Sequence, residues 1–256
     1  MGLSPPEFAL LVAGAMTAGF VQGVSGFGFS MVAMSIWVWG LDPKLAAVMG
    51  VFGSLTGQLI GLFSVQRSLA LKELLPLVLG GLVGIPIGVA LLPRLDADWF
   101  KLVLGGLLVV TCPLMLFASR LPQVTLRNAV AARMADGVAG LGGGFMGGLG
   151  GFTGVIPTLW CTLRGLNKAA QRTVVQNFNL ATLAVTMVAY LATGAVTRPM
   201  WPLLPLVAAA LAVPSLVGAR LYHRLGEREY RRVVLGLLTA GGAAMLISAV
   251  PRVLLL

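Results

Sequence analysis

Two clusters of glycine lie inside long apolar stretches of the chain, GVSGFG at residues 23–28 and GGLGGFTG at residues 147–154. Glycine in a helix interior costs about 1 kcal/mol per residue relative to alanine, so each cluster predicts a break between two helical segments. A broken helix exposes backbone N–H groups that have no intrahelical acceptor, together with the positive end of the helix dipole. With the hydroxyls of Ser25 and Thr153 as further donors, two such ends would bind an anion without any arginine.

Polar amides near the glycine clusters are the other candidates for contact with a ligand. An amide inside an apolar segment is costly unless it is hydrogen-bonded, so these side chains must face the protein interior. There they either touch the ligand or hold neighbouring helices together, and the sequence leaves both roles open. The candidate substrate-binding residues are Gln22, Gly23, Ser25, Gly26, Phe27, Gly28, Gly148, Gly150, Gly151, Phe152, Thr153, Gln176, Asn177 and Asn179.

The glycines also have a purely structural interpretation. Small residues at intervals of four let membrane helices cross closely, and the run Gly80, Gly84 and Gly88 is an example outside the two clusters. The two clusters differ from such runs because they lie at matching positions in the two halves of the chain, and because each interrupts an overlong apolar stretch. That difference favours a functional site.

Patterns typical of catalysis or metal binding are absent from the sequence. There is no HExxH motif, and the single histidine, His223, lies in a basic loop. Cys112 and Cys161 lie inside apolar stretches without metal-ligand spacing, and Ser25 has no candidate base. We therefore expect no enzyme activity, no metal site and no cofactor.

Charged side chains are rare in the apolar stretches. Asp136, which precedes the second glycine cluster, is expected to pair with Arg133 three residues earlier. Arg164, Lys168 and Arg172 follow that cluster, where they either draw anions towards the site or only fix the topology. The scarcity of carboxylates argues against a metal-cation transporter and leaves the coupling ion open, with protons as one option.

The composition places the chain in a membrane. Of 256 residues, 58% are apolar and only 10% are charged, and the mean hydropathy is +0.95. A soluble domain averages about 45–50% apolar and about 25% charged residues, so a cytosolic enzyme, a disordered chain and a disulfide scaffold are excluded. The net charge of +10 is spread in small groups between apolar stretches, which is typical of membrane loops and not of a nucleic-acid-binding surface.

Charged residues divide the chain into eight apolar blocks. Two blocks, 8–40 and 137–163, are too long for one crossing and contain the glycine clusters, so we expect each to form two short helices in a broken or re-entrant hairpin. Irregular backbone at membrane depth is tolerated only where protein buries it or a watery cavity receives it. The other six blocks approach the roughly 20 residues that cross a bilayer, and they are 45–66, 74–93, 99–118, 173–197, 201–219 and 233–250.

The two halves of the chain resemble each other. Residues 19–41 match residues 144–166 at an offset of 125 with 7 identities in 23, and residues 86–108 match residues 216–238 at an offset of 130 with 8 in 23. The order of the matches is kept, which indicates an internal duplication. We therefore predict two repeats, 1–120 and 121–256, each with one hairpin and three transmembrane helices.

The distribution of lysine and arginine predicts the topology. If each overlong block enters and returns as a hairpin, one side of the membrane holds 13 basic residues and the other 5, whereas single crossings would give 11 and 7. The uneven split agrees better with the positive-inside rule. Equivalent loops of the two halves also alternate between few and many basic residues, as residues 42–44 carry one where residues 164–172 carry three. We therefore expect an all-α fold of two inverted repeats with both termini in the periplasm. Inverted repeats with discontinuous helices are the construction of secondary transporters.

The segments AGFVQGVSGFGFSMVAM (18–34) and AGLGGGFMGGLGGFTGVIPTL (139–159) resemble the duplicated glycine signature of the sulfite exporter TauE/SafE family, also called the four-toluene-sulfonate uptake permease family. The resemblance implies a carrier of sulfite, sulfoacetate or other organosulfonates in the bacterial inner membrane, with its paired signatures on residues 23–28 and 148–153. The first half departs from the pattern, because it lacks an equivalent of Pro157 and has only Gly-Phe-Gly in place of three glycines. The two halves of the site need not be chemically equivalent.

The combined expectation is a secondary carrier, most readily an exporter, that moves a small sulfur-containing anion across the lipid bilayer by alternating access. Small-residue helix faces permit a homodimer without requiring one. A permease for small carboxylates or another metabolite is the alternative within transport. A non-transporting intramembrane enzyme or scaffold is the alternative from another class.

Overall fold

The computed structural model describes residues 3–62, 71–117, 123–124, 126, 128–221 and 227–254. Within these ranges the chain forms α-helices and two short 3-10 helices and contains no strand, which confirms the all-α prediction. The α-helices are α1 (Pro5–Ser25), α2 (Phe29–Trp37), α3 (Pro43–Leu62), α4 (Leu71–Leu91), α5 (Ala97–Phe117), α6 (Ala129–Gly150), α7 (Val155–Leu163), α8 (Lys168–Ala192), α9 (Leu203–Leu221) and α10 (Glu227–Leu254).

In the described part of the chain, seven helices are long and apolar enough to cross a membrane. They are α1, α3, α4, α5, α8, α9 and α10, and each of the six predicted spans overlaps one of them. The protein is therefore a multi-pass membrane protein. Which side each terminus faces stays a prediction.

Each overlong block forms one full-length helix followed by a half-length helix. The first arms, α1 and α6, have 21 and 22 residues, whereas α2 and α7 have nine each. Nine residues extend about 14 Å at 1.5 Å per residue, which is less than half of a hydrocarbon core of about 30 Å. The prediction of two short helices is thus wrong for the first arm and holds for the second.

Close packing explains why the first arms stay helical through their glycines. A Cβ atom on Gly148 would lie 2.6 Å from the carbonyl oxygen of Ile85, and Cβ atoms on Gly140 and Gly144 would also overlap the backbone of α4. Likewise, a Cβ on Gly19 of α1 would lie 2.9 Å from the backbone of α9. Because lipid provides no hydrophobic drive for helix association, such close backbone contact stabilises the pairs α4–α6 and α1–α9 and offsets the low helix propensity of glycine.

The breaks themselves occur where glycine adopts a left-handed conformation. Gly26 ends α1 with a φ of 79°, and Gly151 ends α6 with a φ of 85°. Gly28, with a φ of 93°, starts α2. Side chains with a Cβ rarely adopt this backbone region, so these three glycines end one helix and allow the next to start in a new direction.

Several helices start before the charged residues that bound the predicted apolar blocks. α6 starts eight residues before block 137–163, and α8 starts five residues before block 173–197. The reason is a side-chain cap at each start: Asn128 accepts a hydrogen bond from the N–H of Val130, and Asn167 accepts one from the N–H of Ala170. The charged side chains then lie within the first turns of the helices.

The helix pairs follow the duplication. The most extensive pairs are α4 with α6, α5 with α10, and α1 with α9, while α3 and α8 pack on each other. Exchanging α1–α5 for α6–α10 converts the pair α1–α9 into α6–α4 and leaves the pairs α3–α8 and α5–α10 unchanged. This pattern is what two related repeats would produce, and their inverted orientation stays a prediction.

Substituting alanine for Gly84 tests the close crossing of α4 and α6. The new Cβ would overlap the carbonyl oxygen of Leu141 and lie 2.6 Å from the N of Phe145, so overpacking should cost about 1–3 kcal/mol and lower the melting temperature of the purified protein. The matched control is Gly106→Ala in α5, where a Cβ meets nothing within 4 Å. It should leave the melting temperature equal or slightly higher, and equal behaviour of the two variants would contradict the packing account.

Candidate substrate site

A small cavity, here called the inner cavity, lies between the two breaks. Its volume is about 10 Å³, room for about one water molecule. The first half of the chain lines it with Gln22, Phe27, Gly28, Met31, Ser54 and Gln58. The second half lines it with Gly151, Phe152, Thr153, Gly154, Val155, Asn179 and Leu183.

Equivalent residues of the two halves line the inner cavity. Adding the sequence offset of 125 to Phe27 gives Phe152, and adding it to Ser54 gives Asn179. The same offset relates Gly28 to Thr153 and Gln58 to Leu183. The cavity thus lies where the two halves meet, and its two sides share position but not chemistry.

Both half-length helices begin at the inner cavity. α2 follows Gly28 and α7 follows Gly154, both of which line the cavity, and neither helix receives a hydrogen bond from a capping side chain. The N–H groups in the first turn of a helix have no acceptor within that helix. The positive ends of two helix dipoles therefore adjoin one buried space, which is the arrangement that favours an anion.

Side-chain hydrogen bonds hold the cavity walls together. Gln22 Nε2 donates to the carbonyl oxygen of Ser54 at 2.9 Å, and the hydroxyls of Ser30 and Ser54 are 2.8 Å apart. Thr153 Oγ1 donates to Asn179 Oδ1 at 2.8 Å. The sequence left open whether these amides face a ligand site or hold neighbouring helices together. Gln22 and Asn179 both connect helices and line the cavity.

One buried polar atom at the cavity lacks a partner. Gln22 is only 4% exposed, and its Oε1 atom accepts no hydrogen bond. Leaving a buried acceptor unsatisfied costs about 1–3 kcal/mol. A water molecule or a ligand that donates an O–H or N–H group would remove that cost.

A second cavity, here called the outer cavity, adjoins the inner one. Its volume is about 30 Å³, and it shares Gln22 and Gln58 with the inner cavity, so these two amides separate the two spaces. Gln58 Nε2 donates to the carbonyl oxygen of Gly26 at 2.9 Å. The remaining lining residues are Gly23, Gly26, Gly57, Ile60, Gly61, Arg172, Gln176, Ser215 and Ala219.

Four candidate residues line neither cavity. Ser25 contacts carbonyl oxygens within its own bend, those of Val21 and Phe27, so it stabilises the bend. Gly148 packs on α4, and its carbonyl oxygen accepts a hydrogen bond from the hydroxyl of Tyr190 at 2.8 Å. The other two are Gly150, which packs beside Met34, and Asn177, which is partly buried on α8.

Sequence reasoning missed several lining residues. Ser54 and Gln58 are the equivalents of Asn179 and Leu183 at the offset of 125, so the repeat could have identified them. The others carry no such signal, because an apolar side chain or a glycine in a membrane helix faces lipid, protein or a cavity with the same residue type. They are Met31, Gly154, Val155 and Leu183 in the inner cavity, with Gly57, Ile60, Gly61 and Ala219 in the outer one. Ser215, which also lines the outer cavity, is a single small polar residue in an apolar stretch and was missed as well.

The basic residues after the second break have different positions. Arg164 Nη1 lies 3.0 Å from Asp136 Oδ1, which also accepts a hydrogen bond from Trp160 Nε1 at 2.7 Å. The expected pairing of Asp136 with Arg133 is therefore wrong: α7 returns beside α6 and brings Arg164 to the carboxylate, whereas Arg133 is exposed. Arg172 lines the outer cavity, and the side chain of Lys168 lies outside the described residues.

Among the described residues, no group of three or more His, Cys, Asp or Glu side chains could hold a metal ion. Cys112 and Cys161 are free and buried, on α5 and α7 respectively. Neither cysteine lines either cavity. The two cavities are therefore lined by hydroxyl, amide and guanidinium groups.

Comparison with known families agrees with the sequence signature. A family described as "Sulfite exporter TauE/SafE" matches residues 11–245. No curated protein and no solved structure gives a match. The matched range includes both glycine breaks, both half-length helices and every residue that lines the two cavities. Because that range is nearly the whole chain, the protein belongs to the TauE/SafE family of sulfite exporters.

Proposed function

We propose that this protein is a secondary transporter that exports small sulfur-containing anions, such as sulfite, sulfoacetate or other organosulfonates, by alternating access. The observation that carries the proposal is the meeting of two uncapped half-helix N-termini at one buried cavity. The family membership supports the substrate class.

The chemistry of the inner cavity suits an oxyanion. Its lining contains no charged side chain, so binding comes from backbone N–H groups, from the two helix dipoles and from polar side chains such as Thr153. Each dipole contributes about 0.3–1 kcal/mol when exposed and up to about 2 kcal/mol when partly buried, so the anion is held weakly and released readily. The three oxygens of a sulfite or sulfonate group can accept hydrogen bonds from both helix ends at once, whereas a carboxylate has only two oxygens.

Transport requires the inner cavity to widen. At about 10 Å³ it cannot hold a sulfite ion, so the described conformation is closed around the site. The half-length helices α2 and α7 are joined to the long arms through glycines, which allow a large backbone change over few residues. Movement of one half-length helix at a time would open the cavity to one side of the membrane and then to the other.

The proposed topology rests on charge and helix pairing. Two inverted repeats, residues 1–120 and 121–256, would place the cavity near the midplane, as in other secondary transporters. The 13-to-5 split of basic residues puts both termini in the periplasm if the protein lies in the bacterial inner membrane. Exchange of the halves converts the pair α1–α9 into the pair α6–α4, which supports the duplication.

Flux measurements in proteoliposomes test the substrate class. We expect transport of labelled sulfite and sulfoacetate at rates well above those of acetate or lactate, because the inner cavity offers donors to three oxygens. An imposed pH gradient will reveal proton coupling as a change in the rate. Flux of the carboxylates alone would overturn the substrate assignment, and no flux of any anion through folded protein would favour a non-transporting role.

Substitutions of the turn glycines test the breaks. Gly26→Ala and Gly151→Ala each force a side chain into a left-handed turn beside a cavity, with the new Cβ 2.7 Å from Gln176 Nε2 in the first case. We expect the initial sulfite flux to fall at least about 10-fold per folded protein, because a strain of about 1–2 kcal/mol is combined with a displaced donor. Flux rates are normalised to the protein that elutes as a single species in size-exclusion chromatography.

The matched control for these variants is Gly194→Ala. Gly194 also has a left-handed φ, 69°, but a Cβ there would meet nothing within 4 Å. It carries the same backbone strain far from both cavities, so its flux should stay close to that of the unmodified protein. An equal loss of flux in all three variants would mean that strain alone, and not the site, explains the effect.

A further inference from the structure

A charged side chain, Arg172, lines the outer cavity, whereas no charged side chain lines the inner cavity. Arg172 and Gln176, one turn apart on α8, line the outer cavity together with the end of α1. The absence of a side chain at Gly26 makes room for Gln176, because a Cβ there would lie 2.7 Å from Gln176 Nε2, and it would be in ordinary contact with Arg172 Nε at 3.7 Å. A guanidinium and an amide side chain that line one cavity are a typical pair of donors for an oxyanion.

The equivalent place in the other half of the protein is apolar. Subtracting the offset of 125 from Arg172 and Gln176 gives Ala47 and Val51, and both are fully buried. The structural equivalence agrees with the numbering, because a Cβ on Gly151 would lie 3.2 Å from the Cα of Val51, just as one on Gly26 would meet Gln176. One approach to the inner cavity is thus polar and positively charged, and its counterpart is filled by apolar side chains.

The outer cavity lies on the side of the protein that carries most of the basic residues. It is lined by the last turns of α1 and α3, the start of α8 and the second half of α9. In the sequence, the segments that follow α3 and α9 and the segment that precedes α8 belong to the side predicted to hold 13 lysine and arginine residues, which the positive-inside rule places in the cytoplasm.

Two amides stand between this cavity and the inner one. Gln22 and Gln58 line both spaces, and their Nε2 atoms donate to the carbonyl oxygens of Ser54 and Gly26. The Oε1 atom of Gln22 is buried without a partner, so this amide loses only one hydrogen bond when it moves aside. An anion in the outer cavity would be adjacent to these two amides, which also line the inner cavity at the half-helix ends.

We propose that Arg172 and Gln176 form a capture subsite for the sulfur oxyanion on the cytoplasmic side, from which it passes between Gln22 and Gln58 into the inner cavity. The subsite has no counterpart on the opposite side, where Ala47 and Val51 stand. Capture is therefore directional, and the protein loads its anion from the cytoplasm at lower concentration than from the periplasm. This inference rests on the proposed transport function and adds a second binding step to it.

The experiment measures sulfite uptake against concentration in everted membrane vesicles, which present the cytoplasmic face, and in right-side-out vesicles. Arg172→Gln should raise the half-saturating sulfite concentration roughly 10- to 100-fold in everted vesicles, the effect of one lost charge-assisted hydrogen bond. In right-side-out vesicles the value should change less than about twofold. Arg172→Lys keeps the charge and should recover most of the affinity.

The matched control is Arg220→Gln. Arg220 is exposed in the last turn of α9, so this change removes the same charge from the same side of the protein outside the cavity. It should leave the half-saturating concentration unchanged in both kinds of vesicle. If the two glutamine variants raise the half-saturating concentration equally, Arg172 acts only as general surface charge and the subsite is overturned. The subsite is also overturned if Arg172→Gln has no effect, or has the same effect in both kinds of vesicle.

Calorimetric titration of the purified protein with sulfite separates this inference from the proposed function. If the subsite is real, Arg172→Gln weakens sulfite binding relative to the unmodified protein and to Arg220→Gln. Unchanged binding overturns the subsite even if transport is normal. If the unmodified protein shows no flux but its sulfite binding still depends on Arg172, the transport function is overturned and the subsite is supported.

Discussion

The structure depends on one constraint, that a backbone N–H group inside a membrane must find a partner within the protein, in water or in a ligand. The half-length helices α2 and α7 begin inside the protein at Phe29 and Val155, without a capping side chain. Such starts are tolerated only where other elements shield them from lipid. α1 and α3 pack on α2, α6 and α8 pack on α7, and both helix starts adjoin the inner cavity.

Glycine meets two separate demands around this site. Along one face of α6, Gly140, Gly144 and Gly148 allow the backbone of α4 to come so close that no side chain would fit. At the breaks, Gly26 and Gly151 provide the left-handed turn that ends one helix. The first use allows close helix pairs, and the second allows the chain to change direction between two helices. In the proposed transport mechanism, the turn glycines also serve as hinges for the half-length helices.

The two halves share a scaffold and differ in chemistry. Gln58 faces the inner cavity where the second half has Leu183, and Gln176 lines the outer cavity at the position where the first half has Val51. In the proposed function, the scaffold sets where the anion is held, because it brings two helix ends together. In the proposed capture step, a few side chains set the side from which the anion is drawn, since Arg172 lines one approach and apolar residues fill the equivalent place.

The sequence by itself determined the membrane class, the six apolar spans outside the overlong blocks and both breaks, because hydropathy and glycine content are properties of short segments. It also identified Gln22 and Asn179, since a buried amide must face protein. It could not decide that Gly148 packs on α4, that Asp136 pairs with Arg164, or that Arg172 lines a cavity. Those contacts depend on how far each helix is rotated about its axis, and only packing between elements distant in the chain fixes that rotation.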